Sequence, residues 1–115
     1  MSSLLGPVTD ADLRRWQQQR YDLLGQVLKA GQERDLPPLS WTLSVYALVG
    51  TATGHADDEK RAAFDAWVAA LDLDRWDEQP HETGRIHLHA VSDDLWGRGV
   101  GVTVIADVWE EHPAE

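Results

Sequence analysis

The sequence contains no cysteine, and this absence excludes several classes of protein at once. Disulfides, thiolate nucleophiles and the common structural zinc sites all need cysteine side chains. No apolar run approaches the roughly 20 residues that a membrane-spanning helix requires. The opening MSSLLGPV has neither a basic start nor a long apolar stretch, so we expect no signal peptide and a cytoplasmic location.

Basic residues are scarce, since 10 Lys and Arg stand against 20 Asp and Glu, for a formal net charge of −10. A protein that binds duplex nucleic acid needs a basic face to displace counterions from the phosphates. An anionic membrane surface makes the same demand. We therefore expect neither direct nucleic-acid binding nor membrane binding.

The residues that are present suit one domain. The chain has 115 residues, is 43% hydrophobic and contains six tryptophans. A chain of this length buries roughly two-thirds of its unfolded surface, which is enough for one apolar core. We predict a single domain over residues 1–115, with fraying at 1–8 and 111–115.

Two segments have the spacing of an amphipathic helix. Thr9 can cap a helix over residues 10–30, in which apolar residues recur at three- and four-residue steps, and Gly31 suits the position after its end. A second helix is predicted over residues 58–71, where one face carries Phe64, Trp67, Val68 and Leu71.

Four segments alternate between apolar and polar residues, as half-buried strands do. They form two predicted hairpins, the first bending near Tyr46 without a glycine and the second through a turn-rich segment. An acidic loop that contains Trp76 precedes the second hairpin at residues 72–84. The predicted strands are residues 41–45, 48–53, 85–91 and 100–109.

This order, α-β-β-α-β-β, predicts an α+β domain with a four-stranded antiparallel sheet and both helices packed on one face. Alternation then assigns the remaining strand residues to the opposite face. That opposite face is mixed rather than purely polar. It would carry His87, His89, Thr103, Ile105, Asp107 and Trp109.

His87 and His89 are two residues apart on a predicted strand, so their side chains leave the same face about 6.5–7 Å apart at the backbone. They could share a divalent metal ion, with Asp107 on the partner strand as a third ligand. No ligand spacing is diagnostic, however, and we favour ordinary solvated histidines. His81 with Glu82 could act as a general base, but no nucleophile or phosphate-binding loop accompanies these two residues. We therefore predict no catalytic residue, no metal and no cofactor.

The aromatic residues favour binding to protein. Trp96 lies at the tip of the second hairpin beside Leu95, and a tryptophan exposed in such a loop is a common recognition anchor. The alternative is that Trp96 folds back as a lid over the end of the sheet. Ile105 and Trp109 point outward from the sheet. The predicted interaction site consists of Leu95, Trp96, Ile105 and Trp109.

Three parts of the chain resemble a known group of proteins. They are LPPLSWTLS…ALVG (36–50), RAAFDAWVAALDL (61–73) and RIHLHAV…VGVTVIADVW (85–91 and 100–109). They resemble short acidic proteins, without an assigned activity, from Streptomyces-type actinomycete genomes and their mobile elements. The resemblance implies an intracellular accessory or regulatory protein, and it carries over no catalytic residue.

The sequence thus predicts a non-enzymatic accessory or regulatory protein that binds another protein. It also predicts a homodimer, because a mixed open sheet face is easier to keep in solution when it is paired. One alternative is an acidic inhibitor that mimics phosphate and occupies a nucleic-acid-binding protein. The acidic clusters at 57–59, 72–78, 93–94 and 110–111 motivate it. A third interpretation is a protein that binds a metal or a small ligand.

Overall fold

The computed structural model describes residues 7–54 and 56–109, which form two helices and six strands of one sheet. The α+β class predicted from the sequence is confirmed. A short 3-10 helix, Leu95–Gly97, lies between the last two strands. The elements are α1 Asp10–Glu33, β1 Leu39–Leu43, β2 Leu48–Ala52, α2 Asp57–Leu71, β3 Asp74–Arg75, β4 Gln79–Pro80, β5 Arg85–Ser92 and β6 Val102–Trp109.

Helix α1 begins at the cap predicted for it. The Thr9 hydroxyl accepts a hydrogen bond from the Asp12 N–H, and the Asp12 carboxylate accepts one from the Thr9 N–H at 3.1 Å. The prediction that the helix ends before Gly31 is wrong, because α1 continues to Glu33. Gly31 has a different role: a Cβ at this position would lie 2.5 Å from a ring carbon of Trp67, so glycine leaves room for that ring.

The first hairpin turns without glycine because Ser44 satisfies the turn. Its hydroxyl accepts hydrogen bonds from the N–H groups of Tyr46 and Ala47, at 3.2 and 3.0 Å. Its own N–H donates to the Ala47 carbonyl at 2.9 Å. The predicted bend is therefore confirmed, although β1 lies two residues earlier than predicted.

The predicted four-stranded antiparallel sheet is wrong in two respects. The strand order is β1-β2-β6-β5-β3, with β4 also paired to β5, so two short strands come from the segment predicted to be a loop. In addition, β2 and β6 are parallel, with Leu48 opposite Val102. The reason lies in β6, whose valines and alanine on one face are at most 1% exposed. This strand takes the centre of the sheet beside β2, and its direction then makes that pairing parallel.

The two faces of the sheet differ as alternation predicts. On the inner face, both helices and the strands share one apolar cluster, in which Trp67 of α2 lies against Trp41 of β1 at a centroid distance of 5.6 Å. The opposite face, called the outer face below, has no helix of the described chain over it. Its strand residues, as the register places them, are Ser40, Thr42, Val49, Thr51, Asp74, Gln79, Arg85, His87, His89, Val91, Thr103, Ile105, Asp107 and Trp109.

Neither α1 nor α2, in the part of the chain that the structure describes, is long and apolar enough to cross a membrane. The predicted fraying at the ends concerns residues 1–8 and 111–115. Of these, residues 1–6 and 111–115 lie outside the described residues. Residues 7 and 8 precede the Thr9 cap without regular secondary structure.

Candidate functional site

The structure separates the four residues predicted to contact a partner. Ile105 is half-buried on the outer face, and Trp109 at the end of β6 is exposed. Trp96 is 47% exposed, but Leu95 is only 2% exposed. Leu95 is therefore not available to a partner, since the 3-10 turn directs it into the core, where its N–H donates to the Val100 carbonyl at 3.1 Å.

The tip of the second hairpin holds Trp96 outward on a fixed base. The Trp96 backbone is in the left-handed region, with φ 55° and ψ 25°. The backbone N–H of Gly99 donates to the Asp94 carboxylate, and the backbone N–H of Arg98 donates to the Leu95 carbonyl at 3.0 Å. The residue that folds back over the end of the sheet is thus Leu95, and Trp96 is left at the surface.

The centre of the outer face contains a chain of hydrogen bonds. His87 Nδ1 lies 3.1 Å from an Asp107 carboxylate oxygen, and His87 Nε2 lies 3.0 Å from His89 Nδ1. A carboxylate can only accept, so His87 carries a proton on Nδ1. The Arg85 guanidinium approaches the same Asp107 oxygen at 3.9 Å. The two histidines predicted to be ordinary and solvated are therefore connected to each other and to a carboxylate.

Trp76 covers one side of this cluster. Its ring stacks on the His89 ring, with the centroids 3.9 Å apart and the planes 12° apart, and the backbone N–H of Trp76 donates to the His89 carbonyl at 2.9 Å. Burial lowers the pKa of His89, and the charge of His87 lowers it further. Sequence reasoning missed Trp76 here, because a two-residue strand such as β3 leaves no periodic signal to place it against β5.

Charge is distributed unevenly over the molecule. On the outer face, the described strands carry two aspartates, Asp74 and Asp107, and one arginine, Arg85. Elsewhere acidic and basic side chains pair, as in Arg61 with Glu78 at 3.0 Å and Arg75 with Asp65. The hydrogen bond from Arg61 holds the pKa of Glu78 below its ordinary value. With two aspartates and one arginine, the strands of the outer face are close to neutral in a chain whose net charge is −10.

One apolar groove lies away from the outer face, at the end of α1. Its volume is about 380 Å³, and its walls are mainly apolar, including Leu28, Leu36 and Trp41. Asp35 is the one ionisable side chain among its lining residues. Its lining residues do not place a nucleophile beside a base.

Comparison with known proteins adds no relative, because no family model, curated protein or solved structure matches this chain. The resemblance to actinomycete proteins stays a prediction. The candidate site therefore depends on the geometry of the outer face and of the hairpin tip.

Proposed function

We propose that this protein is a non-enzymatic accessory protein of the cytoplasm that acts by binding protein, and that two copies pair through the outer faces of their sheets. The observation that carries the proposal is the composition of the outer face. It is partly apolar, its net charge is close to zero, and no helix of the described chain covers it.

Electrostatics selects this face over the rest of the surface. Two copies, each with a net charge of −10, repel each other in most orientations. The repulsion is smallest where the approaching surfaces carry little charge. Asp107 is already paired with Arg85 and His87 within its own chain, so it adds little to the repulsion across the outer face.

Apolar groups supply the attraction. Val49, Val91 and Ile105 are half-buried on the outer face, and Trp76 and Trp109 flank them with 48% and 57% of their surfaces exposed. Removing apolar surface from water stabilises an interface by roughly 25 cal/mol per Å². A two-fold pair uses the same patch on both copies, so these residues would count twice.

The second contact, for a different protein partner, is Trp96. A bulky side chain in the left-handed region costs roughly 1–2 kcal/mol of backbone strain. Such strain is found preferentially at functional sites. The hydrogen bonds of the hairpin tip order the backbone around Trp96 before a partner binds, which reduces the backbone entropy lost on binding.

Light scattering over a concentration series tests the pairing. We expect about twice the chain mass of 12.9 kDa. Ile105→Glu places a charge at the centre of the outer face and should restore the monomer mass. Tyr21→Glu, a matched change at an exposed aromatic residue of α1, should leave the mass unchanged. A monomer mass for the wild type at every concentration would contradict the pairing.

Affinity capture from the native host tests the role of Trp96. Asparagine tolerates the left-handed region, so Trp96→Asn should change the free energy of unfolding by less than about 1 kcal/mol. The same variant should lose the partner that the wild type retains. Retention of that partner would remove Trp96 from the site, and a steep loss of capture with salt would favour the acidic inhibitor instead.

A further inference from the structure

We propose that His87 and His89 form half of a transition-metal site, which a second copy of this chain completes, so that one divalent cation bridges two outer faces. This inference rests on the proposed function, because it needs the two faces to meet. It replaces the expectation that both histidines are ordinary surface residues.

The spacing of the two imidazole nitrogens fits one metal ion. His87 Nε2 and His89 Nδ1 are 3.0 Å apart. Imidazole nitrogens lie about 2.0–2.1 Å from a zinc ion, which puts two of them about 2.9 Å apart at a right angle and about 3.4 Å apart at the tetrahedral angle. The observed separation lies between these two values, so one ion could bind both nitrogens once the shared proton leaves and the rings turn both lone pairs toward the ion.

Asp107 prepares His87 for this role. Because the carboxylate accepts from Nδ1 at 3.1 Å, the proton of neutral His87 is on Nδ1 and the lone pair is on Nε2, which faces His89. A carboxylate behind a histidine ligand is the usual outer shell of a metal site. Asp107 is thus a positioning residue, and the stacked Trp76 fixes the plane of the His89 ring in the same way.

One copy alone supplies too few ligands. Within residues 7–54 and 56–109, no group of three or more His, Cys, Asp or Glu side chains is arranged to hold a metal ion. The histidine pair, however, lies on β5 beside Ile105 of the central strand β6. In a two-fold pairing of outer faces, the centre of each face lies near the symmetry axis, so the two histidine pairs would come together there.

Four imidazoles define the class of ion. Nitrogen ligands suit zinc, nickel and copper(II), whereas calcium and magnesium require oxygen ligands. Zinc and nickel ions are therefore the probes. The protein is first treated with EDTA and dialysed, its mass is measured by sedimentation equilibrium, and each ion is then titrated by calorimetry and sedimentation.

We expect one ion per two chains, and a dimer dissociation constant at least tenfold lower with the ion than without it. His87→Gln/His89→Gln should lose the ion and keep the dimer mass measured in EDTA, which also shows that the variant is folded. His81→Gln, at an exposed histidine outside the cluster, is the control and should bind as the wild type does. Asp107→Ala should weaken ion binding about 10–100-fold.

The outcomes separate this inference from the proposed function. A dimer in EDTA that binds no ion, binds one ion per single chain, or binds it equally well in the double variant overturns the metal site alone. A monomer in EDTA that doubles its mass with zinc or nickel supports the bridging site and contradicts the metal-free dimer. A monomer under both conditions overturns both.

Discussion

The two faces of the sheet are made by the same strands, yet they differ in every other respect. On the inner face of β6, Val104, Ala106 and Val108 have no measurable exposure, and no buried polar or charged side chain is found among the described residues. On the outer face of the same strand, threonine, isoleucine, aspartate and tryptophan follow one another. Packing against two helices therefore dictates the inner face, whereas the outer face is free to carry binding chemistry.

The largest expected effect comes from removing an inner-face anchor. Trp67 is 2% exposed, contacts Trp41, and donates its indole N–H to the Pro37 carbonyl at 2.6 Å. Trp67→Ala should lower the free energy of unfolding by about 3–5 kcal/mol. Trp109→Ala, the matched change on the outer face, should cost the single chain less than about 1 kcal/mol.

Urea unfolding of both variants measures this difference. Similar losses in the two variants would show that the faces are equally important to stability, and the distinction drawn between them would then be wrong.

An exchange of neighbouring residues in β6 should give an intermediate effect. Val104→Thr places a hydroxyl on the inner face, where no water can reach it, and should cost about 1–3 kcal/mol. Thr103→Val removes a hydroxyl from the half-buried outer face and should change stability by less than about 0.5 kcal/mol. Thermal melting of the two variants is sufficient, and a larger loss in Thr103→Val would contradict the assignment of the faces.

Packing against the inner face also restricts which side chains helix α1 can carry. Gly31→Ala would press a methyl group against the Trp67 ring, and overpacking of this kind costs about 1–3 kcal/mol. Gly25→Ala meets nothing within 4 Å and gains helix propensity, so it should stabilise the protein by up to about 1 kcal/mol. Chemical denaturation should therefore give opposite signs for the same substitution in one helix. Equal signs would show that Trp67 moves aside easily.

The smallest effect concerns pH, because no titratable side chain among the described residues is buried. The hydrogen bond from Arg61 lowers the pKa of Glu78 in the folded chain below the ordinary 4.5. The pair therefore stabilises the fold fully above that value, and this contribution is lost as the pH falls through the lower folded pKa. Both side chains are exposed, so the loss should be less than about 1 kcal/mol.

Unfolding measured between pH 6 and pH 3 tests this contribution. Glu78→Gln should show a shallower acid-dependent loss than the wild type, and the difference should shrink in high salt. The same loss of stability between pH 6 and pH 3 in the two proteins would show that the Arg61–Glu78 pair contributes nothing to the stability of the fold.

The sequence was sufficient for whatever follows from periodicity. Both helices, the Thr9 cap, the glycine-free bend and the assignment of His87, His89 and Ile105 to one face all follow from local patterns, and the structure confirms them. Local patterns say nothing about which strands become neighbours. The parallel pairing of β2 with β6 was missed because it joins segments that are far apart in the chain.

The candidate site was predictable to the same extent. Alternation brought His87, His89 and Asp107 to one face, but the hydrogen bonds among them depend on side-chain rotamers, which a sequence pattern does not contain. The stack of Trp76 on His89 depends on a strand of two residues. Leu95 and Trp96 are adjacent in sequence, and one left-handed residue decides that one is buried and the other exposed.

The parallel seam between β2 and β6 also determines the order in which the chain can fold. The β1–β2 and β5–β6 hairpins join residues close in sequence, so each can form early, whereas the seam must close a loop that contains all of α2. Long-range pairing of this kind sets the folding rate. Closing this loop is then the slow step, so substitutions along the seam, at Gly50 or Val104, should slow refolding.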